Sequence, residues 1–503
     1  MSPTRHLTRR SFLSGIAGAA SAAILAACGS GSGGSTVAPA ATTAATVAAT
    51  KAPAVATTAP AAATTAPAAT AISGAASPAA SAAASVAATA APGGTTTGAT
   101  AASTGTSMSS GTTIAAAKPA ISGPAAGVVL FGAAISLTGT NSTEGKATKN
   151  GYEFWKKTVN DAGGLTVADK RYTVDIKYYD DESSPDTCAK LTEKLITDDK
   201  VQFILGPYGT SQTLSSSAIT EKYKKLMVEA NGAAESIFNR KFQYIFSPMT
   251  PAKFYLRGIL DVILDKDPSV KTLALLADND SFSVEVGDGV KTYAMEKNLN
   301  VVYYEKVPAD TKDVSAQLTQ IKAKNVDIFL SPGHYASAQL VMKQARELKF
   351  NPKAFGFSVG PSLPDFVTSL KDSAEFVYGG TQWTPVLKYK DEQFGTCQDY
   401  ADKFKAFAGE EPSYQAAEST ACGQVFQQAF LKAGTLDTDK VRDAMAGLSF
   451  NSFYANIKFD SRGINVDKPM AVEQIQGGKK ITVWPKDAAN GDPKYPTPAW
   501  DKR

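Results

Sequence analysis

Residue types that often do chemistry are scarce in this chain. It contains two histidines, His6 and His334, and His6 lies in a segment that is typical of a removable export signal. Any Ser-His-Asp or Cys-His site in the mature chain would therefore have to use His334. We interpret His334 as a ligand-binding or ordinary loop residue rather than a catalytic one, and we do not expect an enzyme.

No sequence motif predicts a cofactor, a metal ion or a nucleic acid. No Cys/His spacing matches zinc, the turn at 206–209 lacks the lysine of a phosphate loop, and no GxGxxG follows the first predicted strand. The acidic run Asp180-Asp181-Glu182 could be a paired-carboxylate site, but a solvated loop or helix-start cluster explains it better. The 51 basic and 47 acidic residues are interspersed, which gives no nucleic-acid footprint.

The stretch 201–212 is the strongest candidate for a small-molecule site. Its first five residues are typical of a buried strand that Gly206-Pro207 ends. A polar turn follows, with Ser211 as the predicted N-cap of a helix, so backbone N–H groups and hydroxyls should gather at the carboxyl end of a strand. Open α/β sheets hold ligands at that end, although an ordinary β–α turn has a similar composition. The turn residues are Tyr208, Gly209, Thr210 and Ser211.

The N-terminus is typical of an exported lipoprotein. The apolar run 16–27 is too short to span a bilayer comfortably and ends in Leu25-Ala-Ala-Cys28, which resembles a lipobox. We predict a signal peptide over 1–27 and acylation of Cys28. Arg9-Arg10 resembles a twin-arginine signal, and the general secretory route stays open. Residues 28–126 are almost all Ala, Thr, Ser, Gly and Pro, which predicts a disordered tether.

The remaining part of the chain, 127–503, is longer than one ordinary hydrophobic core and predicts two lobes. Strands and helices alternate in two successive runs, which indicates α/β lobes whose parallel sheets are covered on both faces. Predicted helices begin near Pro185 and Ser211 and cover 144–162, 251–265, 282–297, 313–324, 336–349, 392–408, 414–433 and 439–446. Predicted strands cover 128–135, 172–179, 201–205, 226–229, 272–277, 300–307, 327–331, 354–357, 377–381, 456–459, 470–476 and 480–483.

Seven segments, taken together and in order, resemble the Leu/Ile/Val-binding family of type I periplasmic binding proteins, the capture subunits of ABC importers. The segments are Gly132–Gly139, Val159–Gly164, Tyr179–Pro185, Ile204–Pro207, Asp327–Leu330, Lys343–Arg346 and Phe459–Gly463. The resemblance implies two Rossmann-like lobes joined by a three-segment hinge that closes on a ligand, with strand 377–381 crossing back to the first lobe. The implied division is lobe 1 at 127–248 and 379–452, lobe 2 at 249–378 and 453–490, and a tail at 491–503.

The ligand loops of the family can be transferred to matching positions. Besides the turn 208–211, the resemblance assigns ligand contacts to Ser136, Thr138, Asn231, Ala233, Phe282, His334, Tyr335 and Ser358. Ser358 lies where amino-acid binders of the family place an acidic residue against the ligand ammonium. Binding of an α-amino acid would therefore need a carboxylate from Asp278, Asp280 or Glu144 instead.

Export permits disulfides, and three cysteines follow Cys28. Other family members pair a cysteine near Cys188 with one in the ligand loop, but this loop has Gly209. Cys397 and Cys422 lie on consecutive predicted helices, so we predict that they form the disulfide. Cys188 would remain a small buried apolar residue.

Two functional hypotheses remain. The first is a monomeric solute-binding lipoprotein, anchored at the outer face of the cell membrane, that delivers a small polar solute (an amino acid, amide, urea or small carboxylic acid) to the permease and ATPase of an ABC importer. The second is a ligand-sensing lipoprotein that presents its closed form to a membrane signalling partner. The first is favoured because the lipobox, tether and fold are common in import systems.

Trp383 and Tyr414 could line the cleft rim or pack in the core.

Overall fold

The computed structural model describes residues 125–503, which fold into two α/β lobes. The predicted signal peptide, the predicted acylation site Cys28 and nearly all of the predicted tether lie outside these residues. Within residues 125–503, no helix combines the length and the apolar character needed to cross a membrane.

The first lobe is built on a six-stranded sheet with the order β2-β3-β1-β4-β5-β6. Strand β1 lies inside the sheet and pairs in parallel with β3 and β4, and only β2 runs antiparallel to its neighbour. The last six residues of β1 are all apolar or glycine and five of them are buried, because helices cover both faces. The strands are β1 Val128–Ile135, β2 Leu165–Val167, β3 Lys170–Asp180, β4 Phe203–Leu205, β5 Met227–Val228 and β6 Ile245–Phe246.

The second lobe is built on a seven-stranded sheet with the order β17-β16-β11-β10-β9-β7-β8. Strands β7 to β11 are parallel, whereas β16 and β17 form an antiparallel edge. Two short hairpins, β12–β13 and β14–β15, lie outside both sheets. The strands are β7 Thr272–Asp278, β8 Asn300–Val307, β9 Ile328–Ser331, β10 Ala354–Phe357, β11 Tyr378–Thr381, β12 Lys390–Asp391, β13 Gly395–Thr396, β14 Ser449–Asn451, β15 Asn456–Lys458, β16 Ala471–Gln476 and β17 Lys479–Trp484.

Eleven α-helices connect the strands in the described part of the chain. The helix α10 packs against α1 and is buried on every side over residues 414–426, which makes it the central helix of the first lobe. The helices are α1 Ser142–Asp161, α2 Pro185–Thr197, α3 Thr210–Lys222, α4 Arg257–Lys266, α5 Ser281–Glu296, α6 Ser315–Ala323, α7 Tyr335–Glu347, α8 Pro364–Leu370, α9 Cys397–Ala408, α10 Tyr414–Ala433 and α11 Thr438–Ala446.

The chain passes between the two lobes after β6, after β11 and between β15 and β16, and one buried polar residue on each crossing ties the three together. Gln382 Nε2 donates to Thr250 O at 2.9 Å, and Thr250 Oγ1 donates to Lys468 O at 2.6 Å. Lys468 Nζ donates to Gln382 Oε1 at 2.7 Å and also to Gln382 O. Burial lowers the pKa of Lys468 to about 7. These contacts form the hinge between the lobes.

Three predicted elements differ in the structure. Residues 377–381 do not cross to the first lobe, because β11 pairs with β10 inside the second sheet. The helix predicted at 251–265 is a short 3-10 turn followed by α4, since Tyr255 turns into the core and is 1% exposed. The helix predicted at 392–408 begins only at Cys397, where Thr396 and Asp399 form a capping box.

The predicted disulfide is wrong: the structure has Cys397, Cys422 and Cys188 as buried free thiols. Cys397 lies at the start of α9, with Sγ 3.1 Å from Phe453 O. Cys422 lies in the middle of α10, with Sγ 3.3 Å from Glu229 O. Consecutive helices do not bring the two sulfur atoms together, because each thiol points to a different neighbour. The prediction that Cys188 is a buried free thiol is confirmed.

Candidate ligand-binding cleft

The carboxyl ends of strands from both sheets face each other across a cleft, and the lobes touch there. Tyr335 N–H, in the first turn of α7, donates to Glu144 Oε1 at 2.9 Å. Tyr208, after β4, places its hydroxyl 3.0 Å from His334 Nδ1. Both contacts join a first-lobe side chain to the start of α7, so the structure is a state in which the lobes are in contact.

His334 is held between acidic groups. Its Nε2 lies 3.3 Å from Asp280 Oδ2, and its backbone N–H donates to Asp278 Oδ2 at 3.0 Å. Burial alone would lower the pKa of the imidazole, but Asp280, Asp278 and Glu144 together raise it to about 9. His334 is therefore a cation at neutral pH, which donates through Nε2 to Asp280 and through Nδ1 to the Tyr208 hydroxyl.

Asp278, the last residue of β7, and Asp280, two residues later, have opposite pKa shifts. Asp280 is the N-cap of α5 and accepts the N–H groups of Phe282 and Ser283. Although burial opposes ionisation, His334 and these hydrogen bonds lower the Asp280 pKa to about 2. Burial raises the pKa of Asp278 to about 6, against the opposing effect of His334. Asp280 is thus the permanent counter-ion of His334.

Glu144 is a fully buried carboxylate in the first turn of α1. The helix can begin this close to the end of β1 because Gly145 packs on the backbone: a Cβ there would lie 1.9 Å from Ser136 O. Glu144 Oε1 accepts from Tyr335 N–H and, at 3.4 Å, from the Tyr208 hydroxyl. Glu144 Oε2 accepts no hydrogen bond from any described residue, and burial raises the pKa of this carboxyl.

Aromatic rings from both lobes form a continuous wall beside Glu144. The His334 ring lies 5.8 Å from Tyr208 and 5.5 Å from Phe282, and Tyr255 lies 5.1 Å from Phe282 and 6.4 Å from Tyr414. All five side chains are buried. Ligand sites are mostly apolar with a few polar anchors, and this wall has that composition.

Polar side chains of the first lobe form a second group beside the aromatic wall. Asn231 Nδ2 donates to Thr148 Oγ1 at 3.1 Å and to Ser419 Oγ at 3.3 Å, whereas its Oδ1 accepts nothing from the described residues. The side-chain amide nitrogen and oxygen of Gln415 have no hydrogen-bond partner among the described residues. Glu418 Oε1 has none there either. Buried polar atoms are usually paired, so these atoms mark a place that a ligand or water can satisfy.

Several predicted ligand hydroxyls are engaged within the protein instead. Ser136 Oγ donates to Asp181 Oδ1 at 2.7 Å, and Thr138 Oγ1 donates to Asp180 Oδ2 at 2.8 Å. The acidic run lies just before α2, with Asp180 half-buried and Glu182 exposed. Asp181 is the exception to the predicted solvated cluster, because it is fully buried and fixes the loop after β1. Ser358 Oγ donates to Gly333 O and accepts Gly333 N–H, both at 2.9 Å, so it holds the loop that carries His334.

The turn after β4 differs in detail from the prediction. The helix α3 begins at Thr210 with Gly209 at the N-cap position, where φ is +91°, so Ser211 is not the cap. A glycine suits this position because side chains disfavour positive φ. Thr210 is buried, and its Oγ1 accepts Ala234 N–H at 3.3 Å. Ala233 lies in the next loop, where its carbonyl accepts Ala252 N–H from the first crossing.

The structure thus brings Tyr208, Phe282, His334 and Tyr335 together, and their contact with a ligand stays a prediction. Sequence reasoning missed Tyr255, Gln415 and Glu418 as site residues, although two of them had a recognisable signal. Gln415 and Glu418 lie near the start of a helix whose other residues are mostly small, so the helix should be buried and its polar side chains should have a function.

Trp383 packs in the core and donates to Phe453 O at 3.1 Å. Among the described residues, no group of three or more His, Cys, Asp or Glu side chains could hold a metal ion.

A space remains at the boundary between the lobes. A cavity of about 220 Å³ lies where α1, the residues 363–365 and the α9–α10 connection meet. Its lining includes Thr143 and Ala147 from the first lobe and Asp365 from the second. The cavity therefore lies between the lobes, on the same helix that carries Glu144.

Comparison with known proteins agrees with this architecture. A family model described as periplasmic binding protein matches residues 128–480. The chain is 23% identical over 389 residues to the Leu/Ile/Val-binding protein homolog 8 of Brucella melitensis, an alignment that covers 72% of this chain and 91% of the relative. It is 22% identical over 396 residues to homolog 7 of the same organism, which covers 74% of this chain and 95% of the relative.

Solved structures show the same fold. The branched-chain amino acid transporter substrate-binding protein LivJ from Streptococcus pneumoniae, in complex with isoleucine, superposes with a TM-score of 0.62 at 20% identity, over 70% of this chain and 97% of that one. A solute-binding protein of an ABC transporter from R. palustris, in complex with benzoate, superposes with a TM-score of 0.61 at 17% identity. The superposition covers 74% of this chain and 97% of that one. The chain belongs to the periplasmic binding protein family, in the type I class of the Leu/Ile/Val-binding proteins.

Proposed function

We propose that this protein is an extracytoplasmic solute-binding lipoprotein of an ABC importer, which captures a small polar solute by closing its two lobes. The observation that carries the proposal is the pair of direct contacts across the cleft, Tyr335 to Glu144 and Tyr208 to His334. Glu144, which makes the first of these contacts, has a second buried oxygen with no partner in the described part of the protein. A solute at this place would contact both lobes and so favour the closed state over the open one.

The turn at Thr210 and Ser211 is the proposed contact for acidic or carbonyl oxygens of the solute. It supplies backbone N–H groups at the start of α3, where the helix dipole favours negative charge. Tyr208, Phe282 and Tyr335 would contribute apolar surface. The two solved structures named above are complexes with isoleucine and with benzoate, and both of those molecules carry a carboxylate.

Attachment and delivery complete the proposal. Acylation of Cys28 would hold the protein at the outer face of the membrane, with residues 28–126 as the tether, and the multiply acylated lipoprotein terminus is expected because one chain anchors only marginally. The protein would act as a monomer, without catalysis, and would pass its solute to a permease and an ATPase. The curated relatives are named as binding proteins, which supports this assignment.

A thermal-shift screen of amino acids, amides, urea and aromatic acids tests the proposal, because a ligand that binds only the folded form raises its melting temperature. We expect at least one compound to do so and to bind with one-to-one stoichiometry in calorimetry. Transport is then tested by uptake of that compound, which should be lost in a strain that lacks this protein. Uptake that is unchanged in this strain would contradict the role in import.

A further inference from the structure

The buried part of the cleft contains more acid than base. Glu144, Asp278 and Asp280 face one cation, His334, and the hinge lysine Lys468 already donates to Gln382. A buried carboxylate is costly unless a proton, a cation or hydrogen-bond donors neutralise it. Asp280 has His334, and Asp278 accepts from Ser337 Oγ and His334 N–H. Of the three acids that face His334, Glu144 is the one with a buried oxygen that accepts no hydrogen bond from a described residue.

The two oxygens of Glu144 have different surroundings. Oε1 accepts the N–H of Tyr335 from the second lobe, whereas Oε2 is buried and accepts from no described residue. The side chain is 0% exposed, so bulk water does not satisfy the second oxygen in this state. One carboxylate therefore contacts the opposite lobe and still has one acceptor to offer a solute.

The other unsatisfied atoms nearby are also mainly acceptors. Asn231 Oδ1 and Gln415 Oε1 have no partner among residues 125–503, and the matching donor is Gln415 Nε2. The tyrosine rings of the wall add electron-rich faces, and such faces attract cations within about 6 Å. A solute that suits this place brings hydrogen-bond donors and positive charge.

We propose that the solute carries a cationic nitrogen, and that Glu144 binds this nitrogen through Oε2 while Oε1 holds the second lobe. The inference rests on the proposed function and specifies its ligand class. It also gives Glu144 a second role. Because the same carboxylate binds the solute and the first turn of α7, solute binding and lobe closure are coupled through one side chain.

Two pairs of compounds that differ mainly in charge test the inference. Benzamidine and benzoate are planar and similar in shape but opposite in charge. Isoleucinamide carries the ammonium that 3-methylpentanoate lacks. Methylguanidinium is added as a cation small enough to enter a site that is too narrow for the other compounds. We expect cationic compounds to raise the melting temperature of the full chain and to bind in calorimetry, and their anionic counterparts to bind more weakly. Stronger binding by benzoate and 3-methylpentanoate would overturn the inference and leave the proposed function intact. Failure of every compound, methylguanidinium included, would count against both.

Two matched variants on the same helix assign the effect to Glu144. Glu144→Gln keeps an oxygen that can accept from Tyr335 N–H but removes the charge. Glu153→Gln changes a partly exposed carboxylate that pairs with Lys156 and serves as the control. Losing a hydrogen bond to a charged group should weaken binding of the cation about ten- to a hundred-fold in Glu144→Gln and leave it unchanged in the control. Unchanged affinity in Glu144→Gln, with the melting temperature retained, would refute the role.

The pH dependence gives an independent readout. The titratable groups that face Glu144 are Tyr208, His334, Tyr335 and Tyr414. Because burial raises the pKa of Glu144, a cation that needs the ionised carboxylate should bind more tightly as the pH rises through that pKa. Glu144→Gln should abolish this rise for benzamidine, which stays cationic throughout. Binding that weakens as the pH rises would contradict the inference.

Discussion

The contact between His334 and Asp280 gives the most sharply defined prediction. Asp280→Asn removes the negative charge 3.3 Å from His334 Nε2 and keeps the size of the side chain. In the native protein the His334 pKa is about 9, against an ordinary value of 6.5. This difference corresponds to about 3 kcal/mol in favour of the charged imidazole. Since burial and the weakly acidic Asp278 remain in the variant, we expect the His334 pKa to fall to about 6.5 or below.

The same pair makes stability depend on pH. The contribution of His334 is fully present below its ordinary pKa of 6.5 and is lost as the pH rises through about 9. The contribution of Asp280 is present above its ordinary pKa of 3.8 and is lost as the pH falls through about 2. Raising the pH from about 6 to about 10 should therefore destabilise the native protein more than Asp280→Asn.

NMR of the mature chain measures this pKa directly, because His334 is the only histidine that remains after removal of residues 1–27. The imidazole signals are followed against pH in the native protein, in Asp280→Asn and in the control Asp265→Asn. Asp265 is an exposed residue of the same lobe that pairs with Lys486. A His334 pKa that stays near 9 in Asp280→Asn would refute the proposed electrostatics of the cleft.

Three further predictions address the turn, the cysteines and the anchor. Thr210→Ala should lower the free energy of unfolding in urea by about 1–3 kcal/mol, because the buried Ala234 N–H loses its acceptor; a neutral effect would show that this contact is not formed. Alkylation in denaturant without reductant should modify both Cys397 and Cys422, and a cross-linked peptide would contradict the free thiols. Cys28→Ser should release the protein from membranes, and membrane retention would disprove acylation at this residue.

Local sequence patterns predicted much of the fold. The helix predicted at 414–433 has the same bounds in the structure, and the strand predicted at 354–357 is β10. These elements were predictable because periodicity and turn residues act within a few positions of the chain. The prediction placed the start of α9 five residues too early. Residues 390–396 form the β12–β13 hairpin, which residue propensities did not predict, and the Thr396 capping box then starts the helix at Cys397.

The site was predictable only in part, because its contacts join distant segments. Tyr335 and Glu144 are 191 residues apart, and Tyr208 and His334 are 126 apart. The resemblance assigned three of these residues to the ligand and left Glu144 as a possible substitute acid. It could not show that Asp181 is buried or that the Ser358 hydroxyl is hydrogen-bonded to the backbone of Gly333, because both facts follow from packing.

The central claim, that the cleft closes on a small solute, is tested most directly by fluorescence energy transfer between the lobes. Labels are attached at Lys157→Cys on α1 and Lys324→Cys after α6, two exposed positions on different lobes. The distance is then followed while the compound found in the thermal-shift screen is titrated. We predict a shift toward the short distance that saturates with the affinity measured by calorimetry. A compound that binds in calorimetry without changing this distance would contradict closure.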